Sequence, residues 1–205
     1  MTQSFMPSSV WPYVSPGVPD ELFERLPGIP MTKRETRLLI ISQLRLEPDT
    51  ILWDVGAGTG TIPVESGLLC PQGQIVAIER DEDVVNLIQT NCDRFAVNNV
   101  EVLQGSAPEC LAQLNQAPHR VCIEGGRPIR QIIEAVWTHL QPQGRVVATA
   151  ASLENLYTIS EIFAELQACN VEVVQSVINR LETRGRHQIF AAVDPIFILS
   201  GEKRS

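Results

Sequence analysis

The stretch I-L-W-D-V-G-A-G-T-G-T (residues 51–61) decides the fold. A short apolar run of strand type ends in Asp54, and Gly56, Gly58 and Gly60 follow at every second position. Glycines let a chain turn sharply and approach a ligand with no Cβ in the way, and a helix behind such a turn offers free N–H groups to an anion. The pattern predicts a strand, a ligand-binding turn and a helix. A nicotinamide-dinucleotide turn needs G-x-G-x-x-G or G-x-G-x-x-A, but Thr61 stands at the third position. A phosphate-binding P-loop is excluded, because no G-K-[ST] follows.

Working outward, the pattern alternates. Strand-type runs fall at 51–55, 74–78, 100–103, 120–123 and 144–150, with helix-length segments at 62–69, 81–95, 108–116 and 129–140 between them. Strands alternating with helices predict a parallel sheet covered on both faces. After a last helix at 153–168, strands at 171–178 and 189–199 flank a segment, 179–188, with no helical apolar pattern. A parallel pair needs a long crossover, so these two strands must pair antiparallel. Ahead of the first strand, Thr32 and Glu35 form a capping-box pattern that predicts a helix from Thr32 to about Leu44. Residues 1–30 hold six prolines (Pro7, Pro12, Pro16, Pro19, Pro27, Pro30) around D-E-L-F-E-R-L at 20–26, which predicts an extended arm with one or two helical turns. The expected organisation is thus an arm, 1–30, and one domain, 31–205.

Composition narrows the function. Hydrophobic residues at 44% against 20% charged predict a folded core. No apolar run approaches the roughly 20 residues of a membrane span. The first residues lack the features of a signal peptide, so a cytoplasmic protein is expected. The net charge of −8 argues against nucleic-acid partners, which demand a basic surface. Five cysteines, Cys70, Cys92, Cys110, Cys122 and Cys169, are widely spaced with no C-x-x-C, so neither a disulfide framework nor a metal site is expected. His119 and Cys122 lie three apart on one strand with no further ligand nearby in the sequence.

The spacing D-x-G-x-G-x-G resembles the first motif of class I S-adenosylmethionine-dependent methyltransferases. The resemblance implies a Rossmann-like, seven-stranded, mostly parallel sheet ending in an antiparallel hairpin, with S-adenosylmethionine as cofactor. Glu79 ends the second strand nineteen residues after Gly60, where a carboxylate can accept hydrogen bonds from both ribose hydroxyls. The third strand is followed by G-S-A-P-E (105–109), so the adenine contact is assigned to Ser106 and Ala107. The cofactor set is therefore Thr32, Asp54, Gly56, Ala57, Gly58, Gly60, Thr61, Glu79, Ser106 and Ala107.

A narrower resemblance follows from G-I-P-M-T-K-R-E (28–35) together with W-D-V-G-A-G-T-G-T (53–61). It is supported by N-V-E-V-L-Q-G-S-A-P-E (99–109), L-Q-P-Q-G-R-V-V-A (140–148), L-E-N (153–155) and D-P-I-F-I-L (194–199). These look like the decarboxylating precorrin methyltransferases of cobalamin biosynthesis, over about residues 20–200. The resemblance implies methylation of carbon 15 of precorrin-6B or its cobalt form, with loss of the ring-C acetate carboxylate. It also implies a homotetramer and a separate chain for carbon-5 methylation. Two loops depart from the family pattern: the one after the fourth strand, with Glu124, Arg127 and Pro128, and the hairpin loop N-R-L-E-T-R-G-R-H-Q.

Decarboxylation needs a proton source, for which Glu124 and His187 are the candidates. A polycarboxylate substrate requires a local basic cleft. Of 16 basic residues only Lys33 and Lys203 are lysines, and Arg is the better carboxylate partner. Lys33, Arg34, Arg127, Arg130, Arg180, Arg184 and Arg186 are expected to form that cleft. The alternatives are a tRNA adenine or isoaspartyl-protein methyltransferase, the first disfavoured by the acidic charge and by the lack of an N-P-P-[YF] motif, and a non-catalytic cofactor-binding scaffold.

Overall fold

The computed structural model describes residues 10–205. Pro7 and the rest of residues 1–9 of the proline-rich arm lie outside them. The sheet strands are β1 (Ile51–Val55), β2 (Gln74–Glu79), β3 (Val100–Gln104), β4 (Arg120–Ile123), β5 (Arg145–Ala150), β6 (Cys169–Arg184) and β7 (His187–Glu202). The helices are α1 (Arg34–Leu44), α2 (Thr61–Leu69), α3 (Glu82–Arg94), α4 (Ile129–His139) and α5 (Leu153–Glu165). One sheet of order β3-β2-β1-β4-β5-β7-β6 joins all seven strands. The first five pair in parallel; β7 runs antiparallel to both β5 and β6. Strand order reverses between β1 and β4, which opens a crevice beyond their carboxyl ends.

Alternation along β1 builds both faces. Trp53 and Val55 pack with Val121, Ile123 and Val146 against Ile132, Ile133 and Val136 of α4 and Ile159 and Phe163 of α5. Leu52, one residue over, packs with Ile75, Cys122, Val147 and Ile198 against Ile40, Ile41 and Leu44 of α1. A parallel strand buried on both faces must be apolar throughout, and Asp54 is the exception, fully buried on the Leu52 side. Side-chain caps start two helices: Asp81 accepts from Asp83 N at 3.0 Å before α3, and Ser152 accepts from Asn155 N at 3.2 Å before α5.

The arm is stitched to the domain. Val18 and Phe23 are buried with Val64 of α2, Val84 and Ile88 of α3, and Phe95 just after it. Glu65 of α2, 1% exposed, accepts from Gly17 N at 2.7 Å and Val18 N at 3.0 Å, and pairs with Arg37 Nε. Arg37, 0% exposed, also donates to Val18 O, to Thr32 O at 2.7 Å and to Asp20 Oδ1 at 3.3 Å. Asn91 accepts from Glu24 N at 2.8 Å, and Thr59 Oγ1 donates to Pro30 O at 2.8 Å.

Three expectations change. No capping box forms: Lys33 is the N-cap of α1, and the Thr32 hydroxyl is taken by Glu124, 92 residues away. Glu35 turns instead to Arg180. The predicted helix at 108–116 shrinks to a 3₁₀ turn, Glu109–Gln113. The helical piece expected at 20–26 is present as one 3₁₀ turn, Asp20–Leu22. The segment 179–188 is no loop: β6 and β7 continue through it, from Ile178↔Val193 to Arg184↔His187, beyond the end of β5. Its strand character comes from pairing with its own partner, which a charged sequence does not advertise.

Removing one partner of a buried ion pair leaves the other charge uncompensated. Arg37→Met is expected to cost about 3–5 kcal/mol of stability in denaturant unfolding, because Glu65 and Asp20 lose their cation. Arg94→Met, which breaks an exposed pair with Glu24, is expected to cost no more than about 1 kcal/mol.

Candidate functional site

A cavity of about 900 Å³ opens at the switch point. Gly56, Ala57 and Gly58 form its floor, Glu79 and Arg80 one side, and Ser106 and Ala107 the next. Glu124–Arg127 bound it after β4, the arm closes one flank with Pro30–Lys33, and β7 walls the far side with Ala191–Ile196.

The glycine loop explains why those residue types are needed. Gly58 has φ +52°, and a Cβ there would lie 3.2 Å from Pro30 O, so the arm itself demands glycine. Gly60, with φ +80°, is the N-cap of α2, and a Cβ would meet Ile88 at 3.1 Å. Gly58 thus shapes the cavity floor, whereas Gly60 and the buried Thr61 lie outside its lining and set the start of the helix. Glu79 turns toward the loop: one oxygen accepts from Gly58 N at 3.2 Å and the other from Arg80 N at 2.8 Å. These bonds fix the carboxylate at the cavity wall and leave acceptor capacity for a diol.

Behind the floor lies a group that the sequence reading did not assemble. Asp54 and Cys122 are register partners on β1 and β4, and with Glu124 they bring carboxyl oxygens and the thiol sulfur within 4.8 Å of one another. Strand alternation could have placed Asp54 beside Cys122, had the β1–β4 register been drawn. Neither oxygen of the buried Asp54 has a hydrogen-bond partner of good geometry; its nearest donor is the weak Cys122 thiol. Burial pushes the Asp54 carboxyl well above its ordinary range, and the neighbouring Glu124 adds to this. Burial also drives the Cys122 thiol up. Glu124 is raised to about 7 by burial, opposed by the Thr32 hydroxyl and by Arg37.

The basic cleft is smaller than expected. Lys33, Arg80, Arg127 and Arg180 line the cavity, facing Glu79, Glu124, Glu182 and Asp194. Arg180 is committed to Asp20 at 2.9 Å and to Glu35, whose carboxyl it pulls down to about 2. Arg34 points to Glu35 and lies outside the lining. Arg130 is held by Glu134, Glu161 and Glu165 between α4 and α5. Arg184 pairs with Glu182 near the exposed hairpin tip, where Arg186 and His187 also lie, all three outside the lining. Most of the arginine excess therefore serves structural ion pairs; the buried Arg145, for instance, is bound to Glu202 at 2.6 Å and Glu172 at 3.1 Å. His119 is also structural, its Nδ1 accepting from Ile51 N at 2.9 Å. Arg80 was not foreseen: it follows Glu79 directly, exposed at the cavity edge and free of ion pairs among the described residues. Of the cysteines, Cys70, Cys92, Cys110 and Cys122 are buried, and all five are free thiols.

Comparison with known proteins agrees with this geometry. A chain from Pyrobaculum calidifontis, named a probable cobalt-precorrin-6B C(15)-methyltransferase (decarboxylating), is 38% identical over 93% of this chain and 97% of its own length. The Salmonella typhimurium protein of the same activity is 36% identical over 90% of this chain and 95% of its own. The crystal structure of a precorrin-6Y C5,15-methyltransferase from Geobacter metallireducens superposes with a TM-score of 0.86 at 31% identity, covering 93% of this chain and all of that one. A tRNA (m1A58) methyltransferase from Aquifex aeolicus, at 17% identity, 89% and 73% coverage and a TM-score of 0.72, shares the fold alone. The family description "Precorrin methyltransferase domain" matches residues 23–203, and this chain belongs to that family.

Proposed function

We propose that this chain uses S-adenosylmethionine to methylate carbon 15 of precorrin-6B, or its cobalt form, with loss of the ring-C acetate carboxylate. The family supports the reaction, and the observation that carries it is the convergence of Glu79, Gly56–Gly58 and Ser106–Ala107 on one cavity that β7 also walls. When bound, the cofactor supplies an electrophilic methyl group. Glu79 would hold the ribose hydroxyls, the turn Gly56–Gly58 the amino-acid end, and Ser106 and Ala107 the adenine. The residues' task is orientation, since in-line transfer depends on holding donor and acceptor in contact.

The cavity of about 900 Å³ is open to solvent, so the ring would enter by its reacting edge while the rest of it stays outside. Lys33 and Arg127, both lining the cavity and free of ion pairs among the described residues, are the cations available to the substrate's carboxylates. Glu124 is the proton source that fits the cavity. The homotetramer expected from the family resemblance would find an apolar contact surface in the exposed cross-strand pair Leu181↔Phe190 of the hairpin.

Incubation with cobalt-precorrin-6B and the cofactor, followed by mass spectrometry, should give one added methyl and one lost carbon dioxide. A cofactor-bound protein that turns over neither precorrin-6B nor its cobalt form would contradict the assignment. Arg127→Glu should raise the substrate KM by about tenfold or more, the worth of a charged hydrogen bond, with cofactor affinity unchanged. Arg184→Glu, outside the cavity, should leave KM within about twofold.

A further inference from the structure

We propose that Asp54 and Glu124 share one proton in the cofactor-free protein, and that binding of a positively charged methyl donor expels it. This rests on the reading that the cavity takes S-adenosylmethionine.

The geometry is that of a coupled carboxyl pair. The two side chains, with Cys122, place their polar atoms within 4.8 Å of one another. Asp54 is 0% exposed, and its oxygens have no hydrogen-bond donor beyond the weak Cys122 thiol among the described residues. Thr32 from the arm donates to one oxygen of Glu124, and no other donor reaches this carboxylate among the described residues. Two carboxylates so close cannot both ionise without a counter-charge.

The surroundings supply none. From β4 the facing group is the Cys122 thiol, itself kept neutral by burial and by the two acids. From β2 the facing charge is Glu79, a further anion. From α1, Arg37 is the cation that bears on Glu124, and it is already committed to Glu65 and Asp20. Arg34 pairs with Glu35, and Lys33 at the helix start lines the cavity without an ion pair to either acid. The loop after β4 carries Arg127, an exposed residue that makes no ion pair with either acid. A proton is the smallest charge that lets the pair persist.

S-adenosylmethionine carries a sulfonium, an ammonium and a carboxylate, one net positive charge. Bound in the cavity, that charge would do the proton's work. The O–H bond of the pair breaks, the proton passes to the buffer, and the pair goes from one negative charge to two. After methyl transfer the bound product carries no net charge, so the pair takes up a proton again, which Glu124 can then supply to the decarboxylating ring. Affinity for the donor must then weaken as pH falls, because the proton competes with it.

The test is isothermal titration of the full chain with S-adenosylmethionine near pH 6.5, in phosphate and in imidazole, which both buffer there and differ in ionisation enthalpy. The expected result is a buffer-dependent heat equivalent to about one proton released per cofactor, with Kd falling up to about tenfold per pH unit between about pH 5.5 and 6.5. In the double variant Asp54→Asn/Glu124→Gln, which keeps no carboxyl at the pair, the heats should agree between buffers and Kd should be flat. Equal heats for the unaltered protein, or release retained by the double variant, would overturn the proposal while leaving cofactor binding intact. Absence of binding would overturn the cofactor reading and this proposal with it.

Cofactor-free stability gives a second measurement. The Glu124 pKa is raised from 4.5 to about 7, so the folded chain keeps a proton that the unfolded chain has lost. Its stabilising contribution is full below about pH 4.5 and disappears as pH rises through about 7. The difference in Tm between the unaltered protein and Glu124→Gln should therefore shift against the unaltered protein as pH is raised from about 5 to 7.5. A pH-independent difference would overturn the proposal.

Discussion

The buried contact between Arg37 and Glu65 is the constraint on which the rest of the site depends. Two charges taken out of water are tolerated only when every donor and acceptor is met. Here Glu65 takes two backbone N–H groups from the arm, and Arg37 gives its remaining donors to Val18 O, Thr32 O and Asp20. The pair thereby fixes residues 17–33 against α1 and α2. That placement brings Pro30 O to Thr59 and the Thr32 hydroxyl to Glu124, so the arm becomes a wall of the cavity.

The same constraint separates two uses of arginine. An arginine in a buried or crowded position, such as Arg37, Arg145 or Arg130, is matched by carboxylates from other elements and is unavailable to a ligand. What remains at the cavity is a small set of cations balanced by acids. Substrate recognition at such a site depends on where few charges stand, and only weakly on the sum over the chain.

Legibility in the sequence followed locality. The strand, glycine turn and helix at 51–61 were readable because each depends on its neighbours in the chain. The antiparallel end of the sheet was readable because a short segment cannot cross over. Thr32 reads as a helix cap in the sequence, but a carboxylate 92 residues away takes its hydroxyl. The outer hairpin was hidden because its strand character comes from cross-strand pairing in a charged sequence. Arg130 and Arg184 were placed at the ligand by loop position alone, and their glutamate partners became visible only in three dimensions. The Asp54–Cys122–Glu124 group lay between these cases: strand alternation aligns the first two, but only the β4 exit brings the third.

The central claim is that the arm and the glycine loop are one binding unit held by the Arg37–Glu65 pair. Hydrogen exchange of the full chain, with and without S-adenosylhomocysteine, tests this directly. The account predicts that the ligand protects amides at 17–33 together with those at 56–60. Protection of the glycine loop with no change in the arm would contradict it.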